Sequence, residues 1–142
     1  MKIISHRGNL EGPNPKLENS PKYIIDAINK GFEVEIDVWF INNELFLGHD
    51  EPNHKVQLNF IQQEKLWCHA KNLDAFVYMI SEGIHCFWHE NEKCVLTSNG
   101  VLWCYPGVFL KNGITVMSDK EEIKERDKIL GICTDYPLRY TR

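Results

Sequence analysis

Glu33, Glu35 and Asp37 alternate with Val34, Ile36 and Val38. Successive side chains of a strand point to opposite faces, so the three acids share one face and the branched apolar residues share the other. Carboxylates about 7 Å apart along a strand repel one another unless protons or cations intervene. Two readings follow. The strand is half exposed with a solvated acidic face, or its acids hold a hard, oxygen-liganded cation such as Mg²⁺ or Ca²⁺. Two histidine segments bracket this strand, His6-Arg7-Gly8 before it and Gly48-His49-Asp50 after it. Histidine titrates near neutrality, so two of them can move protons in opposite directions at one reacting centre. His54, His85 and His89 stand alone, and an isolated histidine reads as a surface or structural residue.

The elements that must hold these groups are short. Lys2–His6 predicts a first strand that ends in a loop punctuated by Gly8, Gly12, Pro13 and Pro15. Ser20 and Pro21 then announce a helix, Ser20 as its cap and Pro21 in its first position, with Gly31 at its exit. Ile24, Ala27 and Ile28 supply its buried stripe. The acidic strand is expected over 32–40, and Asn42-Asn43 turns it tightly into a hairpin partner at 45–48. Leu66–Ala70 predicts a third strand, and Asn72 caps a helix with Leu73, Phe76, Val77 and Ile80 at helical spacing and Gly83 at its end. Further strands are expected at 84–88, 95–97, 101–104, 114–117 and Gly131–Thr134. Ser118-Asp119-Lys120-Glu121 has the form of a capping box and predicts a short helix before the last strand.

Strands alternating with helices predict a mainly parallel sheet in an α/β fold. The pattern suggests a TIM-like (β/α) barrel, a fold that takes about 250 residues. A chain of 142 residues makes one domain of this kind, over 1–142, only as a reduced barrel with several helices missing or shortened. Strands left uncovered would expose apolar faces, which leaves a homodimer open. The basic residues are scattered and the net charge is −4, so nucleic acid is not expected as a partner. No apolar run approaches the roughly 20 residues that cross a bilayer, so stable membrane insertion is not expected. The first residues lack a secretion-type apolar stretch, and the expected address is the cytoplasm. Five cysteines without a CxxC pair mostly sit in apolar runs and read as free, buried thiols.

In order along the chain, His6-Arg7-Gly8, Glu18-Asn19-Ser20, Gly31, Glu35-Ile36-Asp37-Val38 and Leu47-Gly48-His49-Asp50 resemble the signature of glycerophosphodiester phosphodiesterases. Gly131-Ile132-Cys133-Thr134-Asp135-Tyr136-Pro137 is similar to that family's closing strand and turn. The likeness is dense over residues 3–50, sparse in the middle and clear again at 131–137. It implies a phosphoric diester hydrolase of lipid or glycerol metabolism, with His6 and His49 as the general acid/base pair. It implies that Arg7 holds the substrate phosphate, that Glu35 and Asp37 are metal ligands, and that Glu18 lies near the site.

The family's later Glu-x-Lys pair falls here on His69 and Lys71. Lys71 is then a second phosphate-binding cation, and His69 stands where a third carboxylate ligand is expected. That departure weakens the case for Ca²⁺ and admits Mn²⁺ or a transition metal beside Mg²⁺, the first expectation. Trp39, Trp88 and Trp103 are candidates for the pocket wall, with buried packing an equal alternative. The function implied is metal-dependent cleavage of a small glycerophosphodiester, through either a cyclic phosphate or direct attack by water. The rival reading is a degenerate relative that binds a phosphorylated ligand without turnover.

Overall fold

The computed structural model describes residues 1–119 and 121–141. Its strands are β1 (Lys2–His6), β2 (Glu33–Ile41), β3 (Glu44–Leu47), β4 (His54–Val56), β5 (Leu66–Ala70), β6 (Cys86–Trp88), β7 (Cys94–Leu96), β8 (Leu102–Cys104), β9 (Gly113–Val116) and β10 (Gly131–Thr134). The helices are α1 (Pro21–Asn29), α2 (Leu58–Ile61) and α3 (Leu73–Ser81), with a 3₁₀ turn at Pro137–Tyr140.

Parallel pairing runs β6-β5-β2-β1-β10-β9-β8. The two ends of the chain meet at the centre of this row, where Lys2 pairs with Gly131 and Ser5 with Thr134. Two antiparallel hairpins extend it. Asn42 and Asn43, at φ 52° and 62°, supply the left-handed turn that brings β3 back along β2 and lets β4 follow. At the other end, β7 folds against β8.

This arrangement corrects the expected TIM-like (β/α) barrel. The fold is dominated by sheet, and among the described residues α-helix is confined to two nine-residue segments and one turn of four. Among those residues β6 pairs only with β5 and β7 only with β8, so the hydrogen-bonded ring stays open. Closure would need β6 to pair with the far end of the row. Here the chain after β6 spends its length on an antiparallel hairpin instead. The short helix expected from Ser118 is absent as well, Lys120 lying outside the described residues. The Ser118 N–H does reach Glu121 Oε2 at 3.3 Å, yet residues 121–130 continue as loop. The loops replace helices as cover: Phe109, Ile123 and Ile129 pack with Ile3 and Ile132 on the outer face of β1 and β10.

The open sheet still curls. Trp103 of β8 stacks on Phe87 of β6 with ring centroids 4.6 Å apart and reaches Trp67 of β5 at 5.6 Å. With Ile4, Ile114 and Cys133 these rings fill the concave face with an apolar plug. Burial of each large side chain of this kind contributes about 1.5–3 kcal/mol. On the convex face, Ile24 and Ala27 of α1 and Ala75 and Met79 of α3 pack on Val34, Ile36, Val38 and Cys68. Pro21 occupies the first turn of α1, as its fixed φ allows, but the Ser20 side chain makes no cap bond. Asn72 does cap α3, its side-chain oxygen accepting from the Ala75 N–H at 2.9 Å.

Candidate active site

The concave face changes character two residues beyond the plug on nearly every strand. Ile4 is followed by His6, Trp67 by His69, Phe87 by His89, Trp103 by Tyr105 and Cys133 by Asp135. Residues i and i+2 of a strand share a face, so one row of side chains forms the plug and the next forms a rim at the strands' carboxyl ends. The rim surrounds a cleft of about 310 Å³ lined by His6, Arg7, Glu35, His49, His69 and Lys71, and also by His89, Trp103 and Tyr105. Asp37 is fully buried beside Glu35. All seven residues singled out from the sequence therefore meet at one place, although residues 6 and 71 are far apart in the chain.

Glu35, Asp37 and His69 form the floor. One oxygen of each acid and one ring nitrogen of His69 lie within 4.8 Å of one another. His69 Nε2 is 3.0 Å from the His89 carbonyl oxygen. A carbonyl can only accept, so Nε2 donates to it and Nδ1 is the nitrogen that faces the acids. Nδ1 stands 3.2 Å from Asp37 Oδ1 and 3.8 Å from Glu35 Oε1. A carbonyl bonded to the far nitrogen is how proteins commonly fix the tautomer of a metal-ligating histidine.

Glu35 Oε2 and Asp37 Oδ1 are buried and lack a hydrogen-bond partner among the described residues. Uncompensated buried carboxylate oxygens are costly, and a cation satisfies them. The donor set fits a divalent metal. The two carboxylates suit a hard ion such as Mg²⁺, and the imidazole admits Mn²⁺ more readily than Ca²⁺, which takes oxygen ligands. The two acids differ in their surroundings. Burial and the adjacent Asp37 charge raise the Glu35 carboxyl above its usual range, against His6, Arg7 and His69. Burial would raise Asp37 too, but the His49 and His69 imidazoles and the Arg7 guanidinium hold it well below the usual carboxylate range.

Asn19 secures Asp37 at two points, donating from Nδ2 to Asp37 Oδ2 at 2.8 Å and accepting from the Asp37 N–H at 2.9 Å. It does so from a left-handed backbone, φ 63°. Asn19 immediately precedes the start of α1 at Ser20 and Pro21, yet its contact is with the acidic strand.

Arg7 leaves β1 in a tight turn, with φ 57° at Arg7 and 90° at Gly8. A Cβ on Gly8 would lie 2.8 Å from the Tyr23 ring, so this turn requires glycine for space as well as conformation. The turn aims the guanidinium across the acids. Nε is 3.2 Å from Asp37 Oδ2, and Nη1 donates to Glu18 Oε2 at 3.3 Å. Nη2 lies 3.4 Å from His49 Nε2. Burial opposes the Arg7 charge, but Asp37, Glu35 and Glu18 outweigh it and raise its pKa.

His6 has its own carboxylate. Nδ1 bonds Asp135 Oδ1 at 2.8 Å, while Nε2 stands 3.6 Å from Glu35 Oε2. Burial acts to lower the His6 pKa, yet the Asp135 hydrogen bond and the Glu35 charge leave it raised. Asp135 is lowered in turn, the His6 bond overcoming burial. Asn9 ties the corner together by donating to both Asp135 Oδ1 at 2.8 Å and Glu18 Oε1 at 2.9 Å. His49 approaches from the β3–β4 side, Nδ1 3.6 Å from Asp37 Oδ2, and is 40% exposed at its side chain.

Of the three tryptophans considered for the wall, Trp103 lines the cleft. The Trp39 indole instead donates to the Gly48 carbonyl at 2.7 Å, and the Trp88 indole to Glu90 Oε1 at 2.8 Å. Sequence reasoning gives Asp135 and Asn9 no role in the site and sets His89 aside as a surface or structural residue. His89 is buried, stacks on the Tyr105 ring at 4.1 Å, and has neither ring nitrogen bonded among the described residues. His85, set aside as structural, bonds Thr97 Oγ1 at 2.8 Å and packs on Trp67, outside the cleft.

No protein-family model, curated protein or solved structure matches this chain.

Proposed function

We propose that the chain is a metal-dependent phosphodiesterase acting on a glycerophosphodiester-type substrate. One observation carries the reading: His6 and His49 each stand 3.6 Å from a different acid of the Glu35–Asp37–His69 cluster, with Arg7 between the acids and His49. Two imidazoles beside one cation-ready floor suit a displacement at phosphorus, in which a proton leaves the attacking hydroxyl as another reaches the departing alkoxide.

Glu35, Asp37 and His69 are the residues that would hold a divalent metal, Mg²⁺ first and Mn²⁺ next. A bound metal polarises the phosphoryl oxygens and neutralises their developing charge. Arg7 and Lys71 hold the non-bridging oxygens, a planar guanidinium being able to engage two at once. Asp135 keeps the proton of His6 on Nδ1 and so leaves Nε2 for the substrate. The P–O bond to the leaving alcohol breaks as a new P–O bond forms, either to a neighbouring substrate hydroxyl or to water. In the first case the product is a cyclic phosphate.

The test is a panel of glycerophosphodiesters incubated with Mg²⁺, Mn²⁺ or Ca²⁺, with products resolved for cyclic phosphate. Turnover that disappears in His6→Ala and in His49→Ala, with the fold retained by circular dichroism, is the expected result. Metal-dependent retention of the diesters without turnover would replace the enzyme by a phosphoryl-ligand binding protein. Neither binding nor turnover would end the proposal.

A further inference from the structure

We infer that Cys94 and Cys104 form a redox-active dithiol that closes to a disulfide and staples the β7–β8 hairpin. The two are register partners, and their sulfurs lie 3.7 Å apart. The ladder's hydrogen bonds say which kind of pair they make. Tyr105 donates its N–H to the Lys93 carbonyl at 2.9 Å, and Thr97 donates to the Val101 carbonyl at 2.8 Å. Hydrogen-bonded pairs recur every second residue of an antiparallel ladder, so 93/105, 95/103 and 97/101 belong to that set. The 94/104 pair falls in the other, closely spaced set, where Cα atoms are about 4.5 Å apart and side chains face each other directly. That spacing is inside the range a disulfide spans, about 4.4–6.8 Å between Cα atoms.

Access separates this pair from the remaining thiols. Cys94 is partly exposed, whereas Cys68, Cys86, Cys104 and Cys133 are buried. Cys68 and Cys86 are also register neighbours, on β5 and β6, but both lie in the core covered by α3. Burial and the neighbouring Cys94 push the Cys104 thiol up to about 12. Cys94 therefore reacts first. Cys94 gives its proton to solvent, and its thiolate attacks one sulfur of a small disulfide such as oxidised glutathione and expels one glutathione thiolate, which takes up a proton. The Cys104 thiol then gives its proton to solvent, attacks the Cys94 sulfur and expels the second glutathione. Two protein thiols are oxidised by two electrons, and the small disulfide is reduced to two thiols.

The bond would form on the face of the hairpin opposite Trp103 and Tyr105, which flank Cys104 and line the cleft. Among the described residues β7 pairs with β8 alone, and both strands are three residues long. A covalent staple here fixes the wall that carries those two rings. The inference stands apart from the reading of the cleft's chemistry.

The experiment equilibrates the wild-type chain in glutathione redox buffers of increasing oxidised fraction, quenches with acid and reads intact mass and peptide maps. The expected result is loss of two hydrogen atoms without a glutathione adduct, a crosslink mapping to Cys94 and Cys104, and reversal by dithiothreitol. Cys94→Ser should form no disulfide in the same buffers, and Cys68→Ser should behave as wild type. Three outcomes would overturn the proposal. They are glutathione retained on Cys94 with Cys104 still free, a crosslink between any other pair, or five free thiols in buffers that oxidise the unfolded chain.

Discussion

His6 Nδ1 and Asp135 Oδ1 share a 2.8 Å hydrogen bond across 129 residues of sequence. The contact exists because β1 and β10 pair in register, Ser5 beside Thr134, which sets the next residues of both strands at the same corner of the cleft. Asp135→Asn leaves an isosteric partner that no longer fixes the proton on Nδ1 or stabilises an imidazolium. Diester turnover should fall by about a hundredfold or more. The same substitution has a pH signature in stability. The His6 pKa is raised above 6.5, so its share is full below 6.5 and is lost as pH rises through the folded value. The Asp135 pKa is lowered below 3.8, so its share is present above 3.8 and is lost as pH falls through the folded value. Urea unfolding of wild type and Asp135→Asn should differ most between those two limits, and the difference should shrink on the alkaline side. A pH-independent difference would show that the pair is not what Asp135 stabilises.

Asn19→Ala tests the support beneath the acids. It strips two hydrogen bonds from a fully buried Asp37, one to the backbone and one to the carboxylate. Leaving such groups unsatisfied costs about 1–3 kcal/mol each. Chemical denaturation should therefore show a loss of that order. If Asp37 holds the proposed metal, removing its outer partner also weakens metal affinity by roughly 10–100-fold, which calorimetric titration of the folded variant would read.

Gly48→Ala addresses the loop that delivers His49. A Cβ there would lie 1.8 Å from the Glu51 carbonyl oxygen, at a glycine whose φ is 156°. Neither the carbonyl nor the backbone can yield without moving the residue that follows. The variant should lose about 1–3 kcal/mol of stability and diester turnover with it. Unchanged thermal unfolding would mean that the loop relaxes freely.

The parts of this architecture that local pattern controls were legible in the sequence. Lys2–His6, Leu66–Ala70 and Gly131–Thr134 form strands where their short apolar runs place them, and Pro21 and Asn72 start helices as their chemistry dictates. What failed was set by tertiary placement. Of the four apolar residues that mark the spacing of α3, only Phe76 packs on the core: Leu73, Val77 and Ile80 are exposed, while Ala75 and Met79 lie on the sheet. His54–Val56 carries a single apolar residue and becomes a strand only because β3 offers it an edge. The open ring was invisible because alternation counts elements and not the direction in which each strand returns. Within the cleft, the motif residues were legible from their order. The roles of Asp135, Asn9 and His89 were not, because a polar residue's partner is unknown until the register of distant strands brings it to the rim.

The account rests most heavily on Glu35, Asp37 and His69 acting together as a metal site. Titration of the chelator-treated chain with Mn²⁺, followed by calorimetry and by the loss of the free-ion paramagnetic resonance signal, tests this directly. One ion should bind per chain, binding should be abolished in Asp37→Ala and weakened in His69→Ala with the fold retained, and diester turnover should rise in proportion to occupancy. Absence of saturable binding in the wild-type chain, or binding that survives Asp37→Ala unchanged, would contradict the account.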